Sequence, residues 1–319
     1  MAVKIFIFIV VIVFFLAASI GCSDEYRESY SSLSDLGGVY SSSMQDLDLQ
    51  LEVSGSLSES DSPISNINIE EILAQSEDAG VYNNKLLRWG ISRRPENQTP
   101  AADPGAPQLL SKYGGAWLGN TSEKIIYLTF DEGYENGFTP QILDVLRDNG
   151  VKVVFFITGP YLKDHQDLVR RMVEEGHEVG NHTIHHPSLP ELADSSLEEE
   201  VLGLDRAFNE KFGLHMRFLR PPKGEYSERS LAVTNKLGYC NLFWSFAYDD
   251  WYRDRFRGAD FAYNIVMRNI HNGAVLLLHA VSRDNAQALD SIIKGALELG
   301  YSFGTPEELL QSVKAGSEN

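Results

Sequence analysis

Seven apolar, β-branched runs separated by amphipathic segments predict an α/β fold for roughly the last two-thirds of this 319-residue chain, with parallel strands joined by right-handed crossovers. The strand-like runs are Ile125–Phe130, Lys152–Ile157, Glu178–Gly180, Arg217–Leu219, Leu242–Ala247, Ala274–Leu278 and Tyr301–Phe303. Helix-like patterns lie between and after them at Pro140–Asp148, Tyr161–Glu175, Leu197–Lys211, Glu228–Leu237, Asp260–Ile270, Ala286–Leu299 and Pro306–Lys314. A second observation separates an open sheet from a barrel. Asp131 follows the first run, His182 and His186 the third, Arg220 the fourth, Asp249 and Asp250 the fifth, and His279 the sixth. Each stands just past the C-terminal end of its strand. In an open sheet the outer members of this set would be far apart, whereas the strand ends of a barrel ring one mouth. The expectation is therefore a (β/α) barrel of about seven parallel strands over residues 124–315.

The chain ahead of the barrel divides by composition. Lys4, the unbroken apolar run Ile5–Ala18 and the small residues before Cys22 have the layout of a secretory signal. The run is shorter than the ~20 apolar residues a spanning helix needs, which favours export over an uncleaved anchor. Gly21-Cys22 also resembles a bacterial lipobox, although Ser19 stands where an aliphatic residue is usual. Residues 1–22 are thus read as an export signal whose Cys22, if lipidated, would tether the protein to the outer face of the cytoplasmic membrane. Cys240 would then have no cysteine partner, so no disulfide framework is expected, and its place beside an apolar run suits a small buried hydrophobe.

Residues 23–80 carry 13 Asp and Glu against one Arg and contain no Trp or Phe. Such a segment cannot bury enough apolar surface to offset its ordering entropy, and it is read as a disordered acidic, Ser-rich stalk. It accounts for most of the formal charge of −18, leaving −7 for Val81–Asn319. The acidity therefore says little about the substrate of the folded part. No nucleic-acid partner is expected, and a monomer is. Aromatic residues return from Val81, and residues 81–123 form an N-terminal extension of the barrel domain.

The reactive residues are best weighed together. His182 and His186 are four apart, so in a helical turn their imidazoles would share a face and a metal ion. Three polar loop histidines are the plain alternative for His182, His185 and His186 taken alone. Asp131-Glu132 places two carboxylates where the first strand ends; leaving a strand they can diverge, one towards a metal and one free as a base. A solvated acidic turn is the alternative, and the His pair on a neighbouring strand end tilts against it. Arg220-Pro221-Pro222-Lys223-Gly224 is a stiff loop with a cation at its root, suited to positioning. His279 closes an apolar strand. Asp250-Trp251 supplies an acid that can orient a histidine and an aromatic that can wall a sugar ring.

Thr129-Phe130-Asp131-x-Gly133, His182-Thr183-x-x-His186-Pro187, Arg220-Pro221-Pro222-x-Gly224, Asp250-Trp251 and Leu277-Leu278-His279 resemble, in order, the five motifs of the polysaccharide deacetylase family, also called NodB-homology or carbohydrate esterase 4. Gly133-Tyr134-Glu135-Asn136-Gly137, Ser227-Glu228-Arg229 and the residues from His279 to Ala286 are similar to its δ-lactam-biosynthetic, muramic-acid de-N-acetylases of spore-forming bacteria, as are Trp89-Gly90 and Tyr113–Thr121. The resemblance implies a distorted (β/α) barrel that removes N-acetyl groups from a cell-wall glycan. It implies a divalent metal, Zn²⁺ first and Mn²⁺ or Co²⁺ as alternatives, on His182 and His186. It gives Asp131 the role of general base, His279 that of general acid, and Asp250 and Arg220 those of orienters, with the backbone N–H near Lys223 assisting the oxyanion. Tyr134 and Asn136 join Lys223 and Trp251 as expected substrate contacts. Most of the family has Asp as third metal ligand at the position of Glu132, and the muramic-acid subfamily typically has Asn. Glu132 is expected to be a ligand with its oxygen displaced by one methylene.

Two other enzyme readings share this machinery: a deacetylase of N-acetylglucosamine in peptidoglycan or chitooligosaccharides, and an acetylxylan esterase. A silent glycan-binding module is the reading from another class. A binding module has no need for a base and an acid, so Asp131, His182, His186, Arg220 and His279 together argue against it.

Overall fold

The computed structural model describes residues 82–94 and 97–317; the export segment with Cys22 and the acidic stalk lie outside the described residues. Ahead of the barrel come β1 (Leu87–Arg88), β2 (Ile91–Ser92), β3 (Ala101–Ala102) and α1 (Ala106–Lys112). The barrel follows as β4 (Ile125–Glu132), α2 (Thr139–Asp148), β5 (Val154–Ile157), α3 (Gly159–Asp164), α4 (Gln166–Glu174), β6 (Glu178–Asn181), α5 (Asp194–Phe212) and β7 (Phe218–Leu219). Next are β8 (Glu225–Tyr226), α6 (Glu228–Lys236), β9 (Cys240–Asn241), α7 (Ala259–Met267), β10 (Ala274–His279), α8 (Arg283–Glu298), β11 (Ser302–Phe303) and α9 (Pro306–Ser317).

Seven of these strands form one parallel sheet in the order β10-β4-β5-β6-β7-β9, with β11 beside the start of β4. The sheet curls until the chain leaving β9 reaches β10, where Phe246 and Leu276 bridge in parallel. The Ser245 N–H donates to Val275 and the Leu277 N–H to Phe246, both at 2.9 Å. The expected number of strands and their parallel sense are as observed. One strand is displaced from its expected place: pairing begins at Cys240–Asn241, and Leu242–Ala247 turns away as the strip that closes the curl. The expected helix over Tyr161–Glu175 is two, because His165 leaves helical dihedrals (φ −128°, ψ 42°) and ends α3 where α4 begins.

Alternation along β4 sorts the core. Ile126, Leu128 and Phe130 face the helices and join the large outer cluster with Leu143, Phe155 and Ile292. Tyr127 faces inward with Val154, Phe156, Phe218 and Val275, and α9 adds Leu309 and Leu310 to that inner cluster. A third cluster, built on Trp89, Leu110, Tyr226 and Phe243, fastens the N-terminal extension to the barrel.

Register then delivers the mouth. Asp131 is paired with His279 across β4 and β10 and with Phe156 across β4 and β5. Asn181 lies opposite Ile157 and Leu219, so His182 and Arg220 emerge side by side from the next positions. Local signals support the helices that carry these strands: Pro140 in the first turn of α2, a reciprocal Ser227/Ser230 capping box on α6, and left-handed Gly213 at the end of α5.

His177, just before β6, is a structural histidine. It is buried edge-on against Phe155, and its Nδ1 accepts the Val153 N–H at 3.3 Å. Burial, with Lys152 and Arg171 nearby, lowers its pKa from 6.5 to about 4. The unfolded chain therefore binds a proton here before the folded one does, and stability falls as pH drops from about 6.5 towards about 4. At pH 5 the loss should be about 2 kcal/mol relative to pH 7. Urea unfolding at the two pH values should show this difference shrinking by that amount in His177→Gln.

Candidate active site

Arg220 leaves β7 pointing into the barrel, where its side chain is fully buried (0% exposed). Nη1 donates to Asp131 Oδ1 at 2.6 Å, Nη2 to Thr129 Oγ1 at 2.9 Å and Nε to the Leu242 carbonyl at 3.0 Å, and the guanidinium lies 4.1 Å from the Phe156 ring centre. Burial alone would raise the Asp131 pKa; the charge of Arg220 and its hydrogen bond, with His279 beyond, outweigh it and hold the carboxyl below its ordinary value. Asp131 is thus an ionised carboxylate with one oxygen bonded to Arg220 and the other, Oδ2, 3.6 Å from His182 Nε2.

The His182 and His186 rings meet edge to face at 4.7 Å, as expected, but on different geometry. Residues 182–186 form no helix. Thr183 (φ 67°) and His186 (φ 60°) are both left-handed, and these two reversals fold the second imidazole back onto the first. The turn is held by the Thr183 N–H to Asn181 Oδ1 at 2.9 Å, the His186 N–H to Thr183 Oγ1 at 3.0 Å and the Ile184 N–H to the Glu200 carbonyl at 3.1 Å. Gly159 seals it from the side, since a Cβ there would meet the Ile184 carbonyl at 2.9 Å. His185 points outward to Glu200.

His182 Nδ1 lies 2.8 Å from the Arg220 carbonyl, which can only accept, so this nitrogen carries the proton and Nε2 presents its lone pair towards Asp131. Burial keeps both rings neutral: it lowers the pKa of His182, and with the neighbouring His182 it lowers that of His186 to about 3. Two neutral imidazoles at contact distance, one with its tautomer fixed by a backbone carbonyl, fit a divalent metal of the kind His ligates.

Glu132 does not join them. Strand pairing continues through Glu132 to Ile157, so Asp131 and Glu132 point to opposite faces, and Glu132 shares the helix-facing side with Leu128 and Phe130. It is completely buried (0% exposed), and neither carboxylate oxygen has a hydrogen-bond partner. Burial, then the charges of Glu135 and Asp131, push its pKa well up. The expectation of a third ligand here assumed that the strand had ended, and it has not.

His279 sits at the end of β10. Its Nδ1 bonds Asp250 Oδ1 at 2.7 Å, while its own N–H donates to Asp250 Oδ2 at 2.9 Å. Burial resists charging the ring, but the charge and hydrogen bond of Asp250, with Asp131 beyond, raise its pKa above 6.5. Asn285 is a residue whose part the sequence did not reveal. Its Nδ2 donates to Asp250 Oδ2 at 2.6 Å, and its Oδ1 takes the Tyr248 hydroxyl. An amide in the first turn of α8, three positions after the capping Ser282 and inside the subfamily-like stretch His279–Ala286, was the signal available.

The other expected contacts divide. Trp251 stands at the rim, 5.8 Å from the His279 ring, and 44% exposed. Lys223 is exposed in a left-handed conformation (φ 60°). Tyr134 and Asn136 instead brace neighbouring loops: the Tyr134 hydroxyl donates to the Trp251 carbonyl, and Asn136 Nδ2 to the Val281 carbonyl at 3.1 Å. Asp249 is held by Arg255 and Arg257.

An ionised base, a neutral imidazole pair and a carboxylate-backed imidazole around one mouth can run acyl hydrolysis. Comparison with known proteins agrees. The polysaccharide deacetylase family matches over residues 118–242. The chain is 42% identical over 228 residues to the peptidoglycan-N-acetylmuramic acid deacetylase PdaA of Bacillus subtilis, covering 71% of this chain and 87% of the relative. It belongs to the polysaccharide deacetylase family. The solved structure of PdaA, a family 4 carbohydrate esterase, superposes with a TM-score of 0.70 over 72% of this chain and 98% of that one, at 42% identity. A family 4 carbohydrate esterase from Bacillus anthracis matches with a TM-score of 0.62 and 41% identity over 73% of this chain and 99% of that one. A peptidoglycan-N-acetylglucosamine deacetylase of Bacillus cereus is 32% identical over 242 residues, 74% of this chain and 87% of the relative.

Two outcomes follow for this deacetylase-family site. In Asp250→Asn the ring of His279 keeps its burial and loses its counter-charge, so its pKa should drop from above 6.5 to below it, as read by NMR titration of the His279 ring proton. In Glu132→Gln, metal affinity by calorimetry should stay within about threefold of wild type, because the side chain faces the helices and not the imidazoles.

Proposed function

We propose that this protein hydrolyses the N-acetyl group of N-acetylmuramic acid in peptidoglycan strands, the freed amine then closing to a muramic δ-lactam. What carries the reading is the joint placement of Asp131 on Arg220, His182 against His186, and His279 on Asp250 at one mouth. The N-acetylmuramic acid deacetylase relative supports the choice of sugar: at 42% identity it is nearer than the N-acetylglucosamine deacetylase at 32%.

The residues divide the work by their charge states. Asp131, ionised and held by Arg220, accepts a proton from the attacking water. His279, kept protonated at Nδ1 by Asp250, presents Nε2 to the departing amine and returns a proton to it. Lys223, with its left-handed backbone, turns its N–H towards the developing oxyanion. His182 Nε2 and His186 would hold a divalent ion, Zn²⁺ before Mn²⁺ or Co²⁺ for an imidazole pair, which supplies polarisation of the acetyl carbonyl and of water. Family members are metal-dependent in general. The protein works outside the cytoplasmic membrane, exported by residues 1–22 and, if Cys22 is lipidated, anchored there.

Mass spectrometry of peptide-free glycan strands, incubated with the protein and each metal in turn, tests this. Loss of acetyl from muramic residues followed by lactam closure is expected, and loss from glucosamine residues alone would replace the reading with the glucosamine one. Asp131→Asn should lower kcat/KM on the order of 10²–10⁴-fold, the usual worth of a general base.

Lys223 tests the sugar separately. Muramic acid differs from glucosamine by a lactyl ether that ends, once the peptide is gone, in a carboxylate, and the exposed Lys223 ammonium stands beside the mouth to meet it. Lys223→Ala should lower kcat/KM on muramic substrates about three- to fivefold and leave glucosamine substrates nearly untouched, with raised salt reproducing part of the loss. Equal losses on both sugars would return Lys223 to a purely structural place in its loop.

A further inference from the structure

Beyond Trp251 at the rim of the site the chain exposes further apolar side chains that the site described above does not use. Among the described residues six large apolar side chains are exposed, and three of them, Trp251 (44%), Tyr252 (47%) and Phe256 (53%), fall on one loop. Single exposed apolar side chains carry no message, but a cluster at the edge of a cleft marks a binding surface. The Trp251 and Tyr252 rings lie 5.5 Å apart at 33°, and Trp251 continues inward to His279 at 5.8 Å, so the surface is continuous with the mouth. The loop is also fixed in place. Arg257 donates to the Asp249 carbonyl at 2.7 Å and its N–H to Asp284 at 2.7 Å, while Tyr134 ties down Trp251.

Cations lie among them: Arg283 is 5.4 Å over Phe256 and Arg255 5.5 Å over Tyr252, while Arg253 lies 3.9 Å over the neighbouring half-buried Tyr134 ring. Arg255 and Arg257 are neutralised by Asp249, but among the described residues neither Arg253 nor Arg283 has an acidic partner within ion-pair distance. Arg283 against the exposed Phe256 and Arg253 next to Tyr252 in the chain offer two guanidiniums without an acidic partner to an anionic ligand with flat apolar faces. A glycan whose sugar rings carry carboxylates meets both demands.

We propose that Tyr252 and Phe256 with Arg253 and Arg283, continuing outward from Trp251 at the rim of the site, form an accessory surface for the non-reacting part of a carboxylate-bearing glycan strand, sugar rings lying on the aromatic side chains and lactyl carboxylates meeting the guanidiniums. The proposal rests on the muramic-acid reading above and extends it from one sugar to a polymer. Binding energy from sugars remote from the scissile bond then raises kcat/KM with strand length.

The test compares peptide-free tetrasaccharides with strands of eight or more sugars. For the wild-type protein, kcat/KM on the long strands should exceed that on the tetrasaccharide by about tenfold, less at high salt. Phe256→Ser/Arg283→Gln and, separately, Tyr252→Ser should lose most of this gain through KM, while tetrasaccharide turnover stays within about twofold of wild type. A second arm needs no catalysis: calorimetry of the same strands on Asp131→Asn protein, with and without the surface substitutions, should show the same preference for length and its loss. Equal rates and affinities for short and long strands in the wild-type surface, or equal loss on both lengths in the variants, would overturn the proposal. If no acetate leaves any strand, the muramic-acid reading fails, and the calorimetric arm still decides the surface.

Discussion

The buried guanidinium of Arg220 links the two halves of the site. Its side chain fixes the base, and its backbone carbonyl fixes the tautomer of His182. A cation with no exposed surface is costly in isolation, and here every nitrogen of the guanidinium is bonded, to Asp131, Thr129 and the Leu242 carbonyl, with the Phe156 face beneath. Thr129 in turn donates to the Leu276 carbonyl on β10, so the contacts of one residue on β7 reach across the barrel interior to the strand that carries His279. This network makes the barrel interior polar at its mouth while Tyr127, Val154 and Val275 keep the rest of it apolar. Removing either partner would leave a buried charge unmatched, which costs more than the pair contributes.

Much of this was legible because periodicity and motif order are local properties. Six of the seven apolar runs and the gathering of the reactive residues at one end of the sheet were legible in this way, and the bond of His279 to Asp250 is the one the family resemblance implied. The missed features are those set by backbone reversal and by exact strand length. Nothing in Asn181–Pro187 announces that Thr183 is left-handed, since a β-branched residue rarely enters that region, and although histidine tolerates it more readily, the imidazoles meet only because the reversals at Thr183 and His186 occur together. Glu132 was expected at the metal from the family's third-ligand position, and that required the strand to end at Phe130. Two more residues of pairing turn its carboxylate to the other face. The Asn285 bridge between Tyr248 and Asp250 spans three separate segments, and no local pattern encodes it.

The N-terminal extension belongs to the frame of the site. β1 pairs antiparallel with β8, the Trp89 N–H donates to the Gly224 carbonyl at 2.8 Å, and the Trp89 indole donates to the Trp244 carbonyl at 2.9 Å. Between them lies Lys223, held at a positive φ that a lysine does not choose freely. Gly224 must also lack a side chain, because a Cβ would meet the Trp244 ring at 2.8 Å. The loop that carries Lys223 is therefore clamped on one side by the barrel through Arg220 and on the other by the extension. That accounts for an aromatic cluster of Trp89, Tyr226 and Phe243 so near a polar mouth.

Asp131 and Glu132 show how one strand end sets two carboxyl groups to opposite states. They are consecutive, both buried, and drawn from the same chemistry. Asp131 faces Arg220, with His279 beyond, and the guanidinium's charge and hydrogen bond overcome burial and keep it ionised. Glu132 faces Phe130's side of the sheet with Glu135 as its nearest acidic neighbour, and burial pushes it towards the neutral form. Were both ionised, two anions one residue apart in a low-dielectric interior would repel strongly, and Arg220 could compensate only one. Keeping the proton on Glu132 leaves the whole of Arg220's charge to Asp131. The environment of each face, and not the residue type, thus decides which carboxyl group serves as the base.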